Sequence, residues 1–235
     1  VDTIRLNNMD DLVLISKETA GVILETIQGD AGVQIPSKQY LLALRKRCSE
    51  VGAMLIFDEI QCGIGRTAKM FAFEHFNVIP DVLTLGKGLG GGMSIGVLIS
   101  SNKVLHNFTN SPMLGHITTF GGHPISCAAA TACIKVIKEE ISLEEVEKKG
   151  EILEQKIGNN KEIISVRRIG LMLAFDMVSP ERVKKVVDKC LENGVLLFWF
   201  LSHPNSFRIS PPLTINFEEL NNAIKIIVNA IDETK

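Results

Sequence analysis

The chain has 235 residues, 46% of them apolar and 22% charged, which fits one large domain or a medium domain plus a smaller one and excludes a disordered chain. The formal net charge is −2 with both signs mixed and no basic stripe, which excludes a phosphate-backbone partner such as nucleic acid. The longest apolar runs, residues 54–57 and 127–133, are far too short to span a bilayer, so no membrane segment is expected.

In chain order, residues 21–25 (GVILE) read as a buried strand. Residues 37–51 place Tyr40, Leu41, Leu44, Cys48 and Val51 on one helical face, closed by Gly52. Residues 53–57, 82–85 and 96–100 read as three further strands. Apolar strands separated by helices predict an α/β fold with a mostly parallel sheet and helices on both faces. Residues 124–140 form a long small-residue helix, and Ser142 with Glu145 forms a capping box that opens another. From residue 163 the segments shorten: strands at 163–168, 171–177, 195–198 and 207–209 are broken by helices that open at Ser179-Pro180 and at Asn216 with Glu219. This predicts a small α+β domain over 141–235, with the boundary near residue 140.

Cys48, Cys62, Cys127, Cys133 and Cys190 show no CxxC or Cys/His ligand spacing, so neither a disulfide framework nor a metal site is expected. No signal peptide precedes the first element, and the expected setting is reduced and cytoplasmic. The chain starts at Val1 without an initiator Met and reads as a piece of a longer protein.

In α/β sheets ligands gather at the carboxyl ends of parallel strands. Three polar clusters fall there: residues 25–30 (ETIQGD), residues 58–63 (DEIQCG) and residues 86–92 (GKGLGGG). Singly, an acid after a strand is a common helix cap and a lysine among glycines a common loop residue; it is their shared edge that points to a site. Gly86, Gly88 and Gly91 make a formal GxGxxG, but a strand follows where the dinucleotide fingerprint needs a helix. Asp58-Glu59 after an apolar run resembles a Walker B strand, yet no GxxxxGK[ST] accompanies it. Gly92-Met93-Ser94-Ile95-Gly96 is a formal GxSxG with the strand on the wrong side of Ser94; a serine hydrolase of Ser94, an Asp such as Asp188, and His203 is the minor alternative.

A buried lysine becomes a nucleophile toward carbonyls. Imine chemistry on pyridoxal 5′-phosphate (PLP) also needs an acid at the pyridine nitrogen and a neutral donor at the ring hydroxyl. Lys87, Asp58 and Gln61 supply these three functions from adjacent strand ends.

Residues 57–67 (FDEIQCGIGRT) and 84–92 (TLGKGLGGG) resemble the signature of class III, fold type I PLP aminotransferases. Residues 25–32 look like that family's E-P-x-Q-G-E-x-G segment, 118–124 like S-T-F-G-G-N-P, and 208–213 like R-x-x-P-P-L, all in family order. The acetylornithine/ornithine branch is the most similar. The resemblance implies that residues 1–140 are the C-terminal half of the PLP-binding large domain and 141–235 the small domain. It implies that Lys87 forms a Schiff base with PLP and moves the proton between substrate and cofactor carbons, that Asp58 pairs with the pyridine nitrogen, and that Gln61 contacts the ring hydroxyl. Thr119 would bind the cofactor phosphate of a partner subunit, making a homodimer with shared active sites. Arg208 would grip the substrate carboxylate, with Glu25 and Asp30 beside it and Asp30 in the place of an acid that pairs with that arginine as a gate. Departures are Asp30 for Glu, which shortens its reach to Arg208, Thr26 for Pro, Ala68 for Gly and His123 for Asn; His123 reads as a turn residue. The family's phosphate loop and ring-stacking aromatic are not found before Glu25.

The expected function is transfer of an amino group from an amino acid or ω-amine to a 2-oxo acid, the donor open among ornithine-like, acetylornithine-like and 4-aminobutyrate-like amines. A truncated, non-catalytic dimerising fragment is the other expectation. Trp199 and Phe200, upstream of Arg208, read as core packing, with a pocket lining as the alternative.

Overall fold

The computed structural model describes residues 1–109, 112–113 and 115–234. The chain forms two compact units, one of Val1–Thr26, Pro36–Ile64 and Phe71–Glu140, the other of Ile27–Ile35, Gly65–Met70 and Ile141–Lys235.

The first unit contains β1 (Gly21–Glu25), α1 (Lys38–Val51), β2 (Met54–Asp58), β3 (Val82–Leu85), β4 (Val97–Ser100), α2 (Asn102–Leu105) and α3 (Pro124–Glu139). Its sheet runs β1-β2-β3-β4, parallel across the first three strands and antiparallel at β4. Ser37 caps α1, its side chain accepting from the Tyr40 N–H at 3.1 Å, and Gly52 closes the helix in the left-handed region at φ 83°. Tyr40, Leu41, Leu44 and Cys48 are the buried face of α1. Asp81, just before β3, accepts from the Leu55 N–H and from Arg45 of α1, each at 2.7 Å, and so ties β2, β3 and α1 together. The edge strands are less buried than their sequence suggests: Ile23 of β1 is 65% exposed, and Leu98 and Ile99 of β4 are exposed too.

The second unit contains α4 (Leu143–Gly158), β5 (Ser165–Ile169), β6 (Met172–Asp176), α5 (Pro180–Glu192), β7 (Phe198–Trp199), β8 (Ser206–Ile209) and α6 (Phe217–Glu233). The sheet order is β5-β6-β8-β7, antiparallel throughout. Its core joins Leu153 and Ile157 of α4, Val186 of α5 and Ile224 and Ile227 of α6 to Phe175 and Phe207, whose rings stack at 5.2 Å. Gly170 turns β5 into β6 at φ 54°, and a Cβ there would run into the backbone of Thr67 and Ala68. Only glycine meets both conditions.

Two local expectations change. The strand expected over 195–198 shrinks to Phe198–Trp199, because the Val195 N–H bonds to the Cys190 carbonyl at 2.8 Å and finishes the C-terminal turn of α5. The capping box at α4 is half made: Ser142 accepts from the Glu145 N–H at 3.2 Å, while the Glu145 carboxylate turns to Lys149 at 3.4 Å. No helix among the described residues is long and apolar enough to cross a membrane.

Candidate active site

In the first unit Glu25, Asp58 and Thr84 pair in register across β1, β2 and β3. Paired residues of neighbouring strands project to the same face, so these three polar side chains form one row at the carboxyl end of the parallel strands. Asp58 Oδ1 accepts from the Ile60 N–H at 2.9 Å, and its other oxygen has no hydrogen-bond partner among the described residues. The Gln61 Oε1 and Thr84 Oγ1 atoms are buried and also without a partner. Unmet polar atoms in such a cluster are costly unless something is to bind there.

Lys87 follows β3 by two residues and opens a 3-10 turn, Lys87–Gly90. It holds φ 45°, a left-handed conformation that costs a non-glycine residue roughly 1–2 kcal/mol. Strain of this kind collects at functional positions. The buried lysine expected from the sequence is instead exposed, since neither Gly86 nor Gly88 has a side chain to cover it and the space over Gly88 is open.

Glu59, next to Asp58, turns the opposite way into the interior. It accepts from Ala72 N–H and Phe73 N–H, each at 2.7 Å, and from Thr26 Oγ at 2.9 Å. Its acid strength is weakened chiefly by burial, with the three hydrogen bonds working the other way. Glu59 therefore braces the strand ends and Asp58 is left to face the site. Thr119 is exposed, in the turn that leads to α3, and His123 is the residue before α3 with no side-chain cap bond.

In the second unit Arg208 of β8 lies over the rings of Phe198 and Phe200, 5.7 and 5.9 Å from their centroids, and has no acidic partner among the described residues. Asp30 accepts from Ser202 Oγ at 2.8 Å and from the Leu201 N–H at 3.3 Å. It forms no ion pair with Arg208. Its carboxyl is held below the usual range first by the Ser202 bond, opposed by desolvation, then by the Leu201 and Ser202 backbone, with the charge of Arg208 the smallest influence. Phe200 is fully buried while Trp199 is half exposed, so the core role expected for both holds only for Phe200. Of the hydrolase alternative, Asp188 pairs with Lys184 on α5, and the acid beside His203 is Asp176, 3.2 Å from its Nε2.

Arg66 and the pair Arg167–Asp176 were given no role in the sequence. Arg66 donates to the carbonyls of Pro211 at 2.6 Å and Leu171 at 3.1 Å; burial, and then the charge of Arg208, bring it down to about 10. A signal for Asp176 was present, because it ends MLAFD as Asp58 ends MLIFD.

A model of the family "Aminotransferase class-III" matches residues 3–231. The chain belongs to that family. This class-III chain is 38% identical over 237 residues to the acetylornithine aminotransferase of Clostridium acetobutylicum, an alignment covering 98% of this chain and 59% of that protein. It superposes on the ornithine aminotransferase of Plasmodium yoelii with a TM-score of 0.87 at 29% identity, covering 99% of this chain and 63% of that one. For an ornithine aminotransferase of Toxoplasma gondii, whose crystals hold PLP at partial occupancy in the active site, the TM-score is 0.89 at 30% identity, covering 99% of this chain and 56% of that one. The class-III chain therefore has the α/β fold of these aminotransferases over about three-fifths of their length.

Proposed function

We propose that the chain serves a PLP-dependent aminotransferase that moves an amino group from an ornithine- or acetylornithine-like donor to a 2-oxo acid. The observation that carries this is Lys87, held in a left-handed conformation just past β3, at the same strand edge as the free oxygen of Asp58. The residues present fit the cofactor: an amine, a carboxylate with one open oxygen, and a side-chain amide whose NH2 group is a neutral donor. Bound PLP supplies an electrophilic aldehyde and a ring that accepts electrons.

The residues of the chain then divide the work. The Lys87 amine would hold the cofactor covalently and would carry the proton at the substrate carbon. Asp58 would face the pyridine nitrogen as its carboxylate partner, and the Gln61 amide would donate to the ring hydroxyl. Arg208, 5.7 and 5.9 Å from the centroids of two aromatic rings, takes the substrate carboxylate in a two-point grip, with Glu25 beside the substrate and Asp30 in the position of the acid that gates the arginine. Thr119 binds the cofactor phosphate of a partner subunit in a homodimer. In support, Met113, Ile117, Phe120 and Ile125 around it are 60–83% exposed, an apolar stretch that a second copy would bury. The first unit serves as the C-terminal half of the PLP-binding large domain and the second as the small domain. Five free thiols favour a reducing, cytoplasmic setting.

The exposure of Lys87 favours a second reading, a non-catalytic dimerising piece. Borohydride reduction of the 235-residue chain with PLP, followed by peptide mass mapping, separates the two. The expected product carries the label on Lys87 and loses it in Lys87→Ala. Label spread over several lysines, or kept by the variant, rejects the aminotransferase reading. In the active protein Lys87→Ala should lower kcat by at least about 10²–10⁴-fold.

A further inference from the structure

Asp176 ends β6 in register with Ser165 of β5 and Ser206 of β8. Its Oδ1 accepts from Arg167 Nη2 at 2.7 Å and from Ser206 Oγ, and it stands 3.2 Å from His203 Nε2. Its Oδ2 accepts from Arg167 Nη1 at 2.5 Å and from Ser165 Oγ. Two parallel bonds to one carboxylate fix the plane of the guanidinium. The third donor, Arg167 Nε, is thereby aimed at the Gly32 carbonyl, which accepts it at 2.5 Å.

Gly32 belongs to the turn after β1, and that turn is pressed onto the cluster. Gly32 has φ +87°, and a Cβ there would stand 2.9 Å from His203 Cδ2 and 3.1 Å from Arg167 Nη2. The turn is closed on itself by the Gln28–Gln34 pair, with N–O distances of 3.1 and 3.0 Å. Two residues before Gly32, Asp30 is caught by Ser202 and Leu201 of the segment that also carries His203. One face of the turn is thus seated on Arg167 and His203, and its acid is tethered at Ser202.

We propose that Arg167, clamped on Asp176, is a positioning residue that docks the 28–34 turn and thereby keeps the Asp30 carboxylate on Ser202 and off Arg208. This rests on Arg208 being the group that takes the substrate carboxylate. With the turn docked, Arg208 offers an unneutralised charge to an anionic substrate; with it loose, Asp30 competes for the same guanidinium.

The test is Arg167→Lys in the active protein. A lysine keeps a cation against Asp176 but, as a point charge without the planar fork, cannot hold the carboxylate and the Gly32 carbonyl together. Hydrogen exchange at residues 28–34 and at Leu201 should quicken while the helices and strands between residues 143 and 233 keep their protection. KM for the 2-oxo acid should rise roughly three- to tenfold, the size of one ordinary net hydrogen bond, as Asp30 competes for Arg208, with kcat nearly unchanged. In an Asp30→Ala background the same substitution should leave KM where it was. Unchanged exchange at 28–34, loosening spread through the whole second unit, or an equal KM rise without Asp30 overturns the proposal. If the wild type itself fails to transaminate, the function reading fails, and the exchange measurement still decides the docking. Gly32→Ala, which attacks the same seat from the turn, should reproduce the exchange result.

Discussion

Glu59 carries a carboxylate into an almost fully buried site where both oxygens are engaged by backbone N–H groups. Its folded pKa lies above the unfolded value of about 4.3, so the stability it contributes is complete below that value and is lost as pH rises through the folded pKa. Glu59→Gln stops the titration but leaves one oxygen for two N–H donors, and one orphaned donor costs about 1–3 kcal/mol. Urea midpoints should therefore be lower in the variant, and the gap to wild type should narrow from pH 4 to pH 7. Thr26, which stands where the family pattern has proline, finds its purpose in the same place, as a donor to Glu59. The positions of Asp58 and Lys87 were legible in the sequence because strand ends in a parallel sheet converge on one edge. The exposure of Lys87 was not, because exposure depends on what packs above a loop and not on the loop's own residues. The bracket around Arg208 was half legible. The sequence points to Trp199 and Phe200 upstream of Arg208, whereas residues two apart on an extended segment share a side, and that rule selects Phe198 with Phe200.

Helix boundaries were the most legible elements, since each depends on a few adjacent residues. Ser179 before Pro180 and Asn216 cap where the pattern placed them, and Ser37, read as the start of the helical stretch, is the cap of α1. At α6 the box is complete: Asn216 Oδ1 accepts from the Glu219 N–H at 2.8 Å, and Glu219 accepts from the Asn216 N–H at 3.2 Å. Asn216→Ala should cost about 1 kcal/mol and lower the thermal midpoint without changing the fold, as circular dichroism would record. The half-made box at α4 shows the limit of such signals: the same Ser-x-x-Glu spacing leaves Glu145 free to choose Lys149, a preference set by side chains a turn further on. Likewise β7 was overestimated because an apolar run does not reveal that the preceding helix has already claimed its first N–H.

At the scale of the molecule the two units interleave along the chain. Residues 27–35 and 65–70 belong with 141–235, where Gly32 receives Arg167, and Arg66 holds Leu171 and Pro211. A single cut near residue 140, the natural division of the sequence, would strip these segments away, because periodicity reports elements and not which body they join. Residues 141–235 expressed alone should consequently unfold at a clearly lower urea concentration than the same residues within the intact chain, followed by tryptophan fluorescence of Trp199. Midpoints that coincide would show that the two segments contribute nothing.

The tether between Asp30 and Ser202 links positions 172 residues apart. On a ribosome adding roughly 5–20 residues per second, the early turn waits on the order of ten to thirty seconds for its seat to be made. During that interval the glycines and the lone acid of the turn have no seat, so the docking of the turn is among the last contacts the chain can close.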